Sequence, residues 1–171
     1  MIATSQQAGL RRERVAATLW SRSPEAQALT NLRQALPGIR AAFSCDDLRS
    51  QGDTLTLDYE LAHTDIEREQ AGSALPDDGI AEFGGPFLEG ISINEPPFEE
   101  WLSKTRADCA RIVRDTLFDA GNAALDAGNA RKALLVAERI LELDPFEEAG
   151  MRLCLKAHAA NGEYSHLQRR L

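Results

Sequence analysis

Cys154 and His158 lie four positions apart, the spacing that sets two soft ligands on one face of a helix. A closed zinc site needs four ligands. Neither His63 and His166 nor Cys45 and Cys109 stand at ligand spacing from this pair, so two residues are left where a site needs more. General acid–base work needs carboxylates that face each other across a substrate. The acid pairs Asp46-Asp47, Asp77-Asp78 and Glu99-Glu100 are adjacent in sequence, so their side chains diverge on either a helix or a loop. Ser, His and Asp are present, but no spacing brings a nucleophile and a base together. Gly84-Gly85-Pro86 is glycine-rich without the strand and spacing that a phosphate loop requires. The patterns therefore predict no enzyme, no cofactor and no metal site.

What remains is the chemistry of contact, through hydrogen bonds and charge on helical surfaces. The net charge of −8 is unevenly spread: residues 1–43 carry six Arg against two Glu, whereas residues 44–100 carry two Arg against fifteen acids. Residues 101–171 are nearly balanced, with eleven basic and ten acidic side chains. The acidic total speaks against strong phosphate binding, and the basic amino-terminal block restores that option locally. Hydrophobic residues make up 43% of the chain, enough for a buried core in 171 residues. No leader-like segment or bilayer-length apolar run is read, and three widely spaced cysteines suit free thiols, so a cytoplasmic location is expected with no membrane contact.

The elements that would position contact residues follow from periodicity. Residues 11–20 read as a short helix with Val15, Leu19 and Trp20 inward, and Ser21 to Pro24 read as a turn. Ser23 is expected to cap a second helix whose first position is Pro24. Ala28, Leu29, Leu32, Ala35, Leu36 and Ile39 fall on one side of it. Pro37-Gly38 predicts a kink, or an end at Leu36. Beyond Leu48, alternation of Leu55, Leu57 and Tyr59 with Thr54, Thr56 and Asp58 behind Gly52-Asp53 predicts a hairpin. Helix, turn, helix, hairpin is the order of a winged helix. Residues 60–97 read as an acidic Gly/Pro-rich connector with some order near Phe83 to Ile93.

From Phe98 the chain reads as helical. Phe98, Trp101, Leu102, Cys109, Ile112 and Leu117 keep one face apolar, and the first helix reaches about Ala127. Ala130 to Leu143 is expected to bury Ala133, Leu134, Ala137, Ile140 and Leu141 and to stop at Asp144-Pro145. Glu147 to Ala160 follows, with Leu153, Cys154 and Ala157 inward, and a short helix begins at Glu163. Gly128 and Gly162 close helices thirty-four residues apart, the tetratricopeptide period. Gly121 inside a helix costs about 1 kcal/mol against Ala, which predicts close approach of a neighbouring helix there.

The segments Gly84-Gly85-Pro86-Phe87-Leu88-Glu89-Gly90 and Pro97-Phe98-Glu99-Glu100-Trp101-Leu102 resemble the opening of the bacterial transcriptional activator domain of SARP-type regulators. Those regulators carry it after an OmpR-like winged helix, which "RRERVAATLW" and "SPEAQALTNLRQAL" are similar to. The resemblance implies a mainly α fold, with a partial winged helix-turn-helix (1–59), a connector (60–97) and TPR-like antiparallel helical repeats (98–171). It implies a transcriptional regulator whose residues 24–43 form the recognition helix, with Gln27, Thr30, Asn31, Arg33, Gln34 and Arg40 on its DNA-facing side. Arg and Gln suit bidentate contact with guanine and adenine. Arg49 and Gln51 would lie at the wing. The family's winged helix opens with several strands and a first helix, whereas only Met1 to Leu10 precede the counterpart of its second helix here, so the wing is expected to lack most of its supporting sheet. The partners implied are DNA, and a protein or a second copy through the repeats. The alternative is a TPR-like interaction module that does not bind DNA, and a self-associating domain comes third.

Overall fold

The computed structural model describes residues 9–43, 48–57, 80 and 85–162. Among them the elements in chain order are β1 (Leu10–Arg11), α1 (Arg12–Leu19), α2 (Glu25–Phe43), β2 (Leu48–Gln51), β3 (Thr54–Leu57), α3 (Pro96–Asp126), α4 (Ala130–Leu143) and α5 (Glu148–Ala160). The protein is mainly α, with one small antiparallel sheet in the order β1-β3-β2. By internal contacts it divides into two units, residues 1–67 with 88–107 and residues 68–87 with 108–171. The division falls within α3, which contributes residues to both.

In the first unit, Ala28, Leu32 and Leu36 recur every fourth residue of α2 and are buried with Val15 and Ala16 of α1 and with Leu48 and Leu55 of the hairpin. Half-buried Leu10, Leu19, Trp20, Leu29 and Leu57 complete this cluster. The hairpin pairs Leu48 with Leu57 and Gln51 with Thr54 around the two-residue loop Gly52-Asp53. Gly52 has a φ of +57°, a conformation in which a Cβ would be strained.

Several details differ from expectation here. The lead-in is not empty: β1 pairs Leu10 with Leu55 and Arg11 with Thr54, adding a third strand beside the hairpin. A two-residue strand carries no detectable period, so alternation could not announce it. Helix α2 runs through Pro37 to Phe43, the end expected of the helix over 24–43, and the alternative end at Leu36 is not taken. It begins one residue later than expected, because the carbonyl of Pro24 accepts from the amide of Ala28 and takes the cap position expected of Ser23. Ile39, expected inward, is 41% exposed. The eight-residue α1 covers only about 12 Å of helix length at 1.5 Å per residue, so it does not reach that far along the nineteen-residue α2.

The same unit holds the turn at residues 87–90 from Leu88 onward and the start of α3. Leu88 has a φ of +49°, unusual for a bulky residue, and Gly90 one of +74°. The Ile91 amide closes the turn on the Leu88 carbonyl, and the Arg106 guanidinium donates to that same carbonyl at 2.7 Å. Pro96 and Pro97 open α3, where missing amide donors cost nothing. Glu99 reaches back to accept from the Ile93 amide at 2.8 Å and the Ser92 hydroxyl at 2.9 Å. Phe98 and Leu102 are buried, and the Phe98 ring lies 5.4 Å from that of half-buried Trp101.

In the second unit, α3 packs through Val113 and Leu117 on Val136, Ala137 and Ile140 of α4 and on Leu153 and Cys154 of α5. Ile80 joins this cluster. Val136, fully buried, was not anticipated, whereas Leu134 and Leu141 are only half-buried at its edge. Cys109 and Ile112 are likewise half-buried. Gly121 shows why glycine stands there: a Cβ would meet Leu153 Cδ2 at 2.5 Å and Val136 Cγ1 at 3.2 Å. Gly128, at φ +73°, ends α3 with its amide on the Leu125 carbonyl and that of Asn129 on the Ala124 carbonyl, two helix-terminating bonds of Schellman type. Asn129 then caps α4 by accepting from the Lys132 amide at 3.0 Å. Gly162, at φ +75°, follows the end of α5 with its amide on the Ala159 carbonyl. The expected helix after Glu163, and Tyr59, Phe83, Cys45, His63 and His166, lie outside the described residues.

Candidate nucleic-acid interface

The polar side of α2 lies opposite the Ala28, Leu32 and Leu36 stripe. At 100° per residue, Gln27, Thr30 and Gln34 fall nearest its centre, and Arg33 and Asn31 fall on its two flanks. Gln27, Arg33 and Gln34 are exposed; Thr30 and Asn31 are half-buried. Gln27 Nε2 donates to Asn31 Oδ1 at 2.9 Å, one turn along the helix. This bond leaves the Gln27 carbonyl oxygen and the Asn31 amide group directed by a shared geometry rather than free to rotate. Thr30 donates its hydroxyl to the Ala26 carbonyl at 2.9 Å, keeping only its acceptor capacity for another group.

Arg40 sits differently. Its Nε donates to the Leu48 carbonyl at 3.3 Å and its Nη2 to the Ser50 hydroxyl at 2.9 Å. The guanidinium therefore bridges α2 and β2, with two of its five donors committed. Arg49 and Gln51 are exposed on the hairpin. Arg11 and Arg14 are exposed on β1 and α1, outward as expected of the arginines in that segment. Residues 9–57 hold seven arginines (11, 12, 14, 22, 33, 40, 49) against five acids (Glu13, Glu25, Asp46, Asp47, Asp53). A surplus of this kind suits an anionic polymer.

Pro37 has no amide hydrogen, so the Arg33 carbonyl lacks its usual partner one turn on. Past that point α2 exposes Pro37, Gly38, Ile39, Ala41 and Ala42, a run without hydrogen-bonding side chains. The exposed polar side chains of α2 therefore lie in its first three turns.

The turn between α1 and α2 is held from far along the chain. The Ser21 amide donates to Glu95 Oε2 at 2.9 Å, the Ser21 hydroxyl donates to the same oxygen, and Arg22 Nη2 donates to Asn94 Oδ1 at 2.9 Å. More than seventy residues separate these partners, and no local pattern marks them.

Among the described residues no group of three His, Cys, Asp or Glu could hold a metal ion. Cys154 is buried against the helical core, and His158 is half-buried one turn on. No helix among the described residues is long and apolar enough to cross a membrane.

Residues 55–166 match the family model of the bacterial transcriptional activator domain. The matched span begins in β3, within the small sheet, and runs through α5. No curated protein and no solved structure matches the chain.

Proposed function

The chain belongs to the bacterial transcriptional activator domain family, and from that premise we propose that it regulates transcription by binding DNA as a SARP-type regulator. The family is regulatory rather than enzymatic. In this reading residues 1–59 are a partial, OmpR-like winged helix, residues 60–97 connect it, and residues 98–171 are TPR-like repeats that contact a protein partner or a second copy. The first turns of α2 enter the major groove, with Gln27, Asn31 and Gln34 toward base edges and Arg33 on phosphate. Arg40 serves from behind, holding the helix to its wing. The site of action is the cytoplasm, where the DNA is.

The observation that carries this reading is the exposed polar face of α2, set between a short preceding helix and a following hairpin in a region rich in arginine. A second reading, an interaction module without DNA binding, is favoured by the exposed apolar residues Pro37, Ile39, Ala41 and Ala42 late in α2. It also has Phe146 in its favour, which stands 85% exposed at the turn between α4 and α5.

A salt series on duplex DNA separates the two. A regulator loses affinity linearly in log–log terms, with a slope of about −0.9 per phosphate neutralised. An interaction module shows no binding even at the lowest salt.

A further inference from the structure

We infer that Asn94 and Glu95, outside the helix-turn-helix, are positioning residues for α2 and so set its affinity for DNA. The inference rests on the reading of α2 as a recognition helix. The direction in which α2 leaves α1 is decided in residues 20–24. That turn has one bond of its own, from the Ser23 amide to the Trp20 carbonyl. The remaining restraint on Ser21 and Arg22 comes from Glu95 and Asn94.

Glu95 is not a loose side chain. Its own carbonyl accepts from the Phe98 and Glu99 amides at the start of α3, and Glu99 braces Ile93 and Ser92 just before it. Phe98, Leu102 and Thr105 bury the same stretch of α3 within the first unit. One carboxylate oxygen of a fixed residue therefore receives both donors of Ser21, and bonds to an ionised acceptor are about twice as strong as neutral ones. At its other end α2 is tied to β2 by Arg40. The polar face between these two ties is held at both ends, and the near tie belongs to the loop that launches α3.

The test uses the full chain and a labelled duplex enriched by the wild-type chain from a random-sequence library. Glu95→Ala is expected to weaken binding roughly tenfold, with the salt slope unchanged because no phosphate contact is removed. Glu95→Gln keeps an acceptor oxygen and recovers most of that loss. Ser21→Ala removes a single hydroxyl, is the variant least prone to misfold, and is expected to cost about threefold. The double variant Ser21→Ala/Glu95→Ala binds no more weakly than Glu95→Ala alone. Glu95→Ala that folds with wild-type helicity and binds as tightly as wild type overturns the inference, as does a double variant whose losses simply add. If the wild-type chain enriches no duplex, the DNA reading falls first and the inference with it. Amide exchange at Ser21, slowed by Glu95 in wild type and faster in Glu95→Ala, reports the tie itself with no DNA present.

Discussion

Arg40 donates to the Ser50 hydroxyl at 2.9 Å across the gap between α2 and the hairpin, with only nine residues between them in sequence. The same guanidinium takes the Leu48 carbonyl through Nε, so one side chain ties α2 to the hairpin at two points. Ser50 is exposed and Arg40 half-buried, which places this bridge at the rim of the Leu32, Leu36, Leu48 and Leu55 core.

Arg40→Ala should therefore act differently from Arg33→Ala. Loss of Arg40 is expected to lower stability by about 1 kcal/mol through its two bonds. It should weaken DNA binding without changing the salt slope. Arg33 is exposed, and Arg33→Ala should leave stability within about 0.5 kcal/mol while reducing the slope by about 1. Urea titration and binding at several salt concentrations check both. Equal slope changes in the two variants would place Arg40 on phosphate instead.

Gly150→Ala is expected to destabilise more than Gly121→Ala. At Gly150 a Cβ would stand 2.7 Å from Ile140 Cγ2 and 3.3 Å from Leu141 Cδ2. Ile140 is β-branched and stiff at χ1, so its methyl cannot swing aside. At Gly121 the nearest atom is the tip of Leu153, which can rotate at some cost, and the gain in helix propensity of about 1 kcal/mol offsets part of the strain. Losses of roughly 2–3 kcal/mol for Gly150→Ala and 0–2 kcal/mol for Gly121→Ala follow. Urea midpoints at constant m give the comparison, and the reverse order would refute the packing argument.

Pro37→Ala should stabilise the protein. Pro37 is exposed inside α2, so its replacement restores the amide that the Arg33 carbonyl lacks without removing buried surface. The expected gain is between about 1 and 3 kcal/mol, seen as a higher thermal midpoint and more helical ellipticity. A loss of stability would mean that α2 needs the proline.

Phe146→Ser is expected to change stability by less than about 0.5 kcal/mol, because the ring is 85% exposed. Leu117→Ala, in a side chain with no exposure, should cost about 2–5 kcal/mol. Contact of the repeats with a second copy through this turn predicts concentration-dependent sedimentation that Phe146→Ser abolishes at unchanged stability. Sedimentation of the variant identical to wild type would remove Phe146 from that surface.

Much of the helical architecture can be read from local pattern. The α4 boundaries at Ala130 and Leu143 follow from apolar period and from Gly128 and Asp144-Pro145, all signals within a few residues. Gly121 was legible as a close approach because nothing else justifies glycine in mid-helix. The hairpin was legible in the Leu/Thr alternation around Gly52-Asp53. The reach of α2 to Phe43 agrees with the helix that the resemblance implied, whereas local pattern at Pro37-Gly38 left a kink or an end at Leu36 open. The polar candidates on α2 were identified by residue type. Which of them already spends its donors within the protein was beyond such a reading.

The chain's own order of residues determines where helices start, stop and turn apolar, since those choices are made by neighbours within one or two turns. It also determines that charge is concentrated at the amino-terminal end. Tertiary structure alone decided that Arg40 faces Ser50, that β1 joins β3, and that Ser21 rests on Glu95. Each depends on two groups that meet only after the backbone between them has been placed. A hydrogen bond between residues seventy-four apart leaves no trace in the spacing of either.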